Sequence, residues 1–159
     1  MNETSSTLND LAARLQMHIA EDRPESEVLA SGSVWNLSQT VQHCAQTVVY
    51  SVIGYPRLKL ALFRATVGGL AKRLFLIRGA MKHPLGAEID GAPPLDPELP
   101  VSEAFAGLTE AVALFIAHTG TPARHPAYGR CTHAQFGRLH AMHLAEHLPG
   151  LTGADQCPT

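Results

Sequence analysis

Residues 139–148 read LHAMHLAEHL, which puts His140, His143 and His147 within eight residues at spacings of three and four. Those spacings are the repeat of an α-helix, and at about 100° per residue the three side chains fall within roughly 60° of one another. Neutral imidazole is a good ligand for zinc, nickel, iron and copper. Two histidines at i and i+4 sit one turn apart and can both reach an ion at about 2.0–2.1 Å, and His143 and His147 have that spacing. His140 with His143, at i and i+3, is a poorer pair. His140 and His147 are separated by roughly 10.5 Å along the axis, too far for one ion without a bend. One helix therefore supplies two ligands, and a third comes from elsewhere.

The best outside candidate is His43. It stands beside Cys44, on a segment that also carries Thr40, Thr47 and Tyr50, polar groups able to orient a ligand or touch a substrate. Three histidines leave a coordination position open, where a metal lowers the pKa of bound water or acts as a Lewis acid. The plain alternative for a histidine on a mixed face is a hydrogen bond to its neighbours. His18, His83, His118, His125 and His133 fall in loops or on polar faces and read as structural. Cys44 reads as a small buried hydrophobe, and Glu146 as a surface charge that stands close enough to the histidines to serve as a base.

The elements that must position these groups are helical. Leu8, Leu11, Leu15 and Ile19 recur at three and four from Thr7 to about Glu21, with Thr7 and Asp10 placed like a capping pair. Asn36 with Gln39 opens a second helix that Gly54 and Pro56 end, with Leu37, Val41, Cys44, Val48 and Val52 as its stripe. A third spans about Leu58 to Arg78, with Gly68 and Gly69 suggesting close packing or a kink. A fourth runs from Ser102 to about His118. Thr132 with Gln135 caps the last, which Pro149 and Gly150 stop. Between the third and fourth, HPLGAEIDGAPPLDPELP is a loop of a kind that is often functional or packed across an opening. TGTPARHPAYGR is a second irregular connection. The expected fold is all-α, one domain over residues 1–159, with four long helices in a bundle and a short additional N-terminal helix.

Composition narrows the function. A hydrophobic content of 45% against 16% charged residues is that of a globular chain. A net charge of −2 without a basic run argues against nucleic acid. The most apolar window, LALFRATVGGLAKRLFLI, holds three cations and reads as a buried helix rather than a membrane span. The polar start is no signal peptide. Cys44, Cys131 and Cys157 are scattered with no C-x-x-C, which points to a reducing, cytoplasmic setting and against a disulfide framework, a cysteine zinc site or attached haem.

Three stretches, LSQTVQHCAQTVVYSVIGYP, EIDGAPPL and HPAYGRCTHAQFGRLHAMHLAEHL, together resemble the DinB-like, YfiT-like superfamily of metal-dependent enzymes, in a branch described as a domain of unknown function. The likeness runs from about Leu37 to Leu148. It implies a DinB-type four-helix bundle, often a homodimer, with a divalent metal, commonly zinc or nickel, on His43, His143 and His147. It also implies a small-molecule substrate and a reaction that is either hydrolysis or transfer of a low-molecular-weight thiol. Tyr50 and Glu146 are the candidates for proton transfer or substrate contact. A bundle that binds a small ligand or its own copy and catalyses nothing is the alternative. In the branch it resembles, the last helix carries a second adjacent histidine and a glutamine beyond it. Here Glu146 takes the adjacent place and Pro149 cuts the helix short, leaving His147 in the final turn and His140 as the alternative ligand.

Overall fold

The computed structural model describes residues 3–152. Six α-helices follow in order: α1 Glu3–Ala20, α2 Leu37–Ile53, α3 Ala61–Ala65, α4 Val67–Arg78, α5 Val101–Ala117 and α6 His133–His147, with single 3-10 turns at Glu25–Glu27 and Pro149–Thr152. No strand occurs among the described residues, only an isolated antiparallel bridge between His125 and Gly129. None of the described helices is long and apolar enough to cross a membrane. Cys157 lies outside the described residues.

The two helices that carry the candidate ligands begin where their sequences say. Asn36 Oδ1 accepts the Gln39 N–H at 2.8 Å while Gln39 Oε1 accepts the Asn36 N–H, so two orphan donors at the start of α2 are satisfied reciprocally. Thr132 and Gln135 do the same for α6. At the other end of α2, Gly54 takes φ 105°, a conformation open to glycine.

Three expectations need correction. The N-terminal helix is neither short nor additional: α1 has 18 residues and packs on both α5 and α6. Thr7 and Asp10 lie inside it rather than at its cap. Its stripe of Leu8, Leu11 and Leu15 is buried in the main core, which is what holds it there. The expected third helix is broken at Thr66 into α3 and α4. The apolar window it contains is not buried: Val67, Leu70 and Ile77 on the outer face of α4 are 59%, 70% and 73% exposed. High apolar content identifies a helix but not which face meets the core.

Helices α1, α2, α5 and α6 enclose that core, α1 and α2 each packing against both α5 and α6. Val41, Cys44 and Val48 of α2 share one buried core with Leu108 and Phe115 of α5 and Phe136 and Leu144 of α6. Helix α4 sits outside, across α6. Gly68 lets it approach the second irregular connection: a Cβ there would stand 1.8 Å from the Ala127 carbonyl oxygen. Gly68→Ala is therefore expected to lower stability by about 1–3 kcal/mol through forced displacement of that backbone. Gly69→Ala, whose Cβ would meet its nearest neighbour at 3.4 Å, is expected to be neutral or to gain up to about 1 kcal/mol of helix propensity. Urea unfolding of the pair separates packing from propensity; equal midpoints would show that the contact at Gly68 relaxes freely.

The loop between α4 and α5 is stitched to the polar face of α2. Gln42 donates to the Asp96 carbonyl at 2.7 Å and accepts from its N–H at 2.9 Å, Gln46 donates to Pro93, and Ser38 donates to Leu99. These bonds substitute for the regular pairing the loop's prolines forbid, while the loop's first part meets α6 through His83 and Glu146.

Candidate metal centre

Helix α2 contributes His43, one turn of α6 contributes His143 and His147, and the start of the long loop contributes His83. One ring nitrogen from each lies within 4.8 Å of all the others. Ring centroids are 5.0 Å apart for His43 and His143, 5.1 Å for His43 and His147, and 4.7 Å for His143 and His147. His83 stands 4.7 Å from His143 and 5.0 Å from His147, with its Nε2 3.3 Å from the Nε2 of His147. The i, i+4 spacing on α6 thus delivers both rings to one point, and His43 meets them across the core.

Position in the final turn does not loosen His147. Its carbonyl accepts the Ala30 N–H at 3.0 Å, Leu148 behind it is fully buried, and Gly150 packs so closely on Glu27 and Val28 that a Cβ would meet the Glu27 oxygen at 2.0 Å. The chain after Pro149 is pinned by the segment after α1, and the His147 ring is 1% exposed. Trp35 covers it at 6.0 Å, nearly parallel, and lies 4.8 Å from His43.

Burial sets the protonation of the group. Desolvation, then the neighbouring His147 and His83, pushes His43 down to about 3. Burial first and the adjacent histidines second hold His143 well below its ordinary value, and burial with His83 takes His147 to about 4. At neutral pH these rings are uncharged and carry lone pairs. Yet both nitrogens of His43, Nε2 of His143 and Nδ1 of His147 are buried without a hydrogen-bond partner. An unpartnered buried polar atom costs about 1–3 kcal/mol, so three rings with unpartnered nitrogens, gathered with His83 within reach of one point, fit a cation as the missing partner. Neutral imidazoles suit zinc, nickel, copper or iron rather than magnesium or calcium. The four histidines could hold such an ion.

Glu146 is engaged rather than solvated. Its Oε1 accepts the His83 backbone N–H at 2.7 Å, and its Oε2 meets His83 Nδ1 at 2.5 Å. A carboxylate on one imidazole nitrogen fixes the ring with the other nitrogen presented to a metal. His83, read from sequence as structural, therefore joins the three predicted ligands. No periodicity could have marked it, and its one signal is its place at the head of the long loop. His140, the alternative ligand, is turned elsewhere. Its Nε2 lies 3.0 Å from Ser51 Oγ, and its ring rests between Phe115 and Phe136. Ser51 Oγ already donates to the Val48 carbonyl at 2.6 Å, so it accepts from His140. Tyr50, two turns along α2 from His43, faces Tyr55 at 5.8 Å.

A cavity of about 430 Å³ opens on the cluster, with His43, His83 and His143 in its wall. Tyr55 rather than Tyr50 lines it, its hydroxyl donating to the Thr47 carbonyl at 2.9 Å. His125 and Tyr128 form another wall, and the exposed pair Arg57 and Asp90, 3.3 Å apart, belongs to its rim. Fold and site together define an all-helical protein with a histidine cluster at the side of a pocket. The chain belongs to the family described as protein of unknown function DUF1569, whose model matches residues 6–153. No curated protein and no solved structure matches it.

Proposed function

We propose that this chain is a DinB-like divalent-metal protein that uses zinc or nickel to activate a small nucleophile, a metal-dependent hydrolase or low-molecular-weight thiol transferase. On this reading α1, α2, α5 and α6 are the four helices of the bundle. The observation that carries it is the convergence of four histidine rings, three of them with unpartnered buried nitrogens, beside a cavity. His43, His143 and His147 hold the ion, with His83 as a fourth ligand set by Glu146. The chemistry such an ion supplies is Lewis-acid activation of water or of a thiol. Among the described residues the two cysteines offer no nucleophile: Cys44 is sealed in the core, where burial pushes its thiol up to about 12, and burial raises Cys131 as well. The nucleophile is then one that enters the cavity. The four large helices and the stitched loop exclude bulk solvent from three of the ligands.

A second reading has its own observation. Four histidines close the coordination of a tetrahedral ion, which is the pattern of a structural site rather than a catalytic one. The deciding experiment incubates the protein with zinc or nickel, removes the excess and measures metal by mass spectrometry. Thiol transfer to a chromogenic electrophile and hydrolysis of simple esters and amides are then assayed. About one ion per chain with either activity is expected. Failure to take up either metal would remove both readings, and full occupancy without activity would favour the structural one. The homodimer that the resemblance implies belongs to the same proposal and is checked by light scattering.

A further inference from the structure

His125 lies outside the metal cluster but in the wall of the same cavity. It begins a tight reversal closed by paired backbone bonds to Gly129, at 2.8 and 3.1 Å, with Gly129 at φ 71°. Within that reversal the backbone N–H groups of Ala127 and Tyr128 both donate to His125 Nδ1, each at 3.1 Å. An imidazole nitrogen that accepts two N–H bonds carries no proton. The ring is therefore neutral and its one proton is on Nε2. Burial acts in the same direction, pushing the group down to about 3, with His140 and Lys72 adding to it.

The ring is also clamped. Tyr128 lies parallel to it at 4.1 Å and 11°, Tyr55 is 5.5 Å away and Phe136 6.0 Å. With Nδ1 turned into the loop, the opposite edge of the ring is the one left to the cavity. There Nε2 makes no hydrogen bond to the described residues, and it is not among the buried atoms sealed from solvent. A rigid donor whose charge state and tautomer are both fixed by backbone, standing free in a pocket wall, is what a binding site uses to read an acceptor atom.

We propose that His125 is the cavity's recognition residue, donating its Nε2–H to an oxygen acceptor, a carboxylate or an amide carbonyl, on the small molecule that binds there. It cannot serve as a base, since its free nitrogen already holds the proton, so its role is to bind and orient. The proposal rests on the reading that this cavity is the substrate site, but not on the identity of the ion.

Two measurements test it. In protein labelled with ¹⁵N at histidine, two-bond correlation spectra at neutral pH are expected to show His125 as the neutral Nε2–H tautomer. A proton on Nδ1, or a charged ring, would overturn the proposal. Acetate and butyrate, and separately acetamide and butyramide, are then titrated against the metal-loaded protein while the His125 Nε2 resonance is followed. A shift with the acids identifies an anionic acceptor, a shift with the amides a neutral carbonyl, and either supports the proposal. His125→Asn is the informative variant, because an Asn carbonyl accepts N–H groups two and three residues on in an Asx turn while lacking the distal donor. It is expected to keep its metal content and melting temperature and to bind the responsive probe about tenfold more weakly. His125→Gln, which retains a distal amide, is expected to recover part of the loss. Unchanged binding by His125→Asn would make the residue a turn-former only, and a metal-loaded parent that responds to neither series would also overturn the proposal. Metal content measured on the same samples separates this from the wider reading: a protein that takes up no metal after incubation yet still binds the probe through His125 loses the metal centre and keeps the assignment of His125.

Discussion

Replacing His143 with alanine is expected to take the protein from about one bound zinc or nickel ion per chain to less than about a tenth, with loss of the metal's thermal stabilisation. His143 is the hub of the cluster: His43, His83 and His147 all lie with ring centroids at 4.7–5.0 Å from it. Its removal leaves no pair of rings on adjacent turns of one helix. His43→Ala is expected to match it, since α2 offers no second ligand in the cluster. His83→Ala is expected to weaken binding without abolishing it, because two helices still present three rings. Glu146→Gln, which removes the charge behind His83 but leaves a polar group, is expected to cost about 10–100-fold in affinity. His140→Ala is expected to retain the metal. Stabilisation follows occupancy: at a free metal concentration a hundred times Kd the folded state gains about 2.7 kcal/mol, so a melting scan with and without metal ranks the variants independently of mass spectrometry. Full stoichiometry in His143→Ala would place the ion elsewhere.

The order of that series reflects how the site is built. The histidines on α2 and α6 are carried by helices whose starts are fixed by reciprocal caps and whose inner faces are core, so the fold alone positions their rings. His83 is carried by a loop held from both ends, by Glu146 at its start and by Gln42 and Gln46 further along. On the proposed reading, a ligand on such a loop is the one a substrate would displace, and this makes the His83 variant the test of whether the centre is closed or catalytic.

What could be read from the sequence follows the same division. Asn36 with Gln39 and Thr132 with Gln135 announce helix starts because capping is local chemistry, and the structure repeats both. The spacing of His143 and His147 announces a shared face because helical geometry is local too, and His43 sits on the inner side of its helix as its neighbour Cys44 suggests. His83 was not legible: its partner Glu146 is 63 residues away, and nothing periodic marks a loop residue. The place of α1 was missed for a related reason. A three-leucine stripe says that a helix has an apolar face, whereas the gap it fills between α5 and α6 is a property of the assembled fold. Conversely the apolar run through α4 overstated its burial, since Gly68 against Ala127 seats that helix by backbone contact and leaves its longer side chains outside. His125 illustrates the limit most sharply, because its significance lies in two N–H bonds that exist only once the turn has closed.

Acidification is expected to destabilise the metal-free protein steeply between pH 6.5 and 5. His125 and His140 are both held near 3 in the fold, His125 by burial with His140 and Lys72, His140 by burial with His133. In the unfolded chain each returns to about 6.5. Above that value neither state is protonated and the two histidines add no pH dependence. As pH falls below it the unfolded chain takes up protons that the folded chain refuses, so stability drops with falling pH, and the drop continues until the folded value is reached. At pH 5 each histidine has cost about 2 kcal/mol, or about 4 kcal/mol together, at 1.36 kcal/mol per unit. That is a large part of the roughly 5–15 kcal/mol available to a domain of this kind. Urea unfolding of the metal-free protein at pH 7.5, 6 and 5 checks it, with His140→Gln as the control. Glutamine can keep a donor to Ser51 but does not titrate, so the fall at pH 5 is expected to be smaller than the parent's by about 2 kcal/mol, with His43, His143 and His147 adding to the fall in both proteins. A flat profile in the parent would mean that these buried rings, those of the cluster included, accept protons inside the fold. With metal bound the protein is expected to gain less from the ion at pH 5 than at pH 7.5, because protons and metal compete for the same lone pairs.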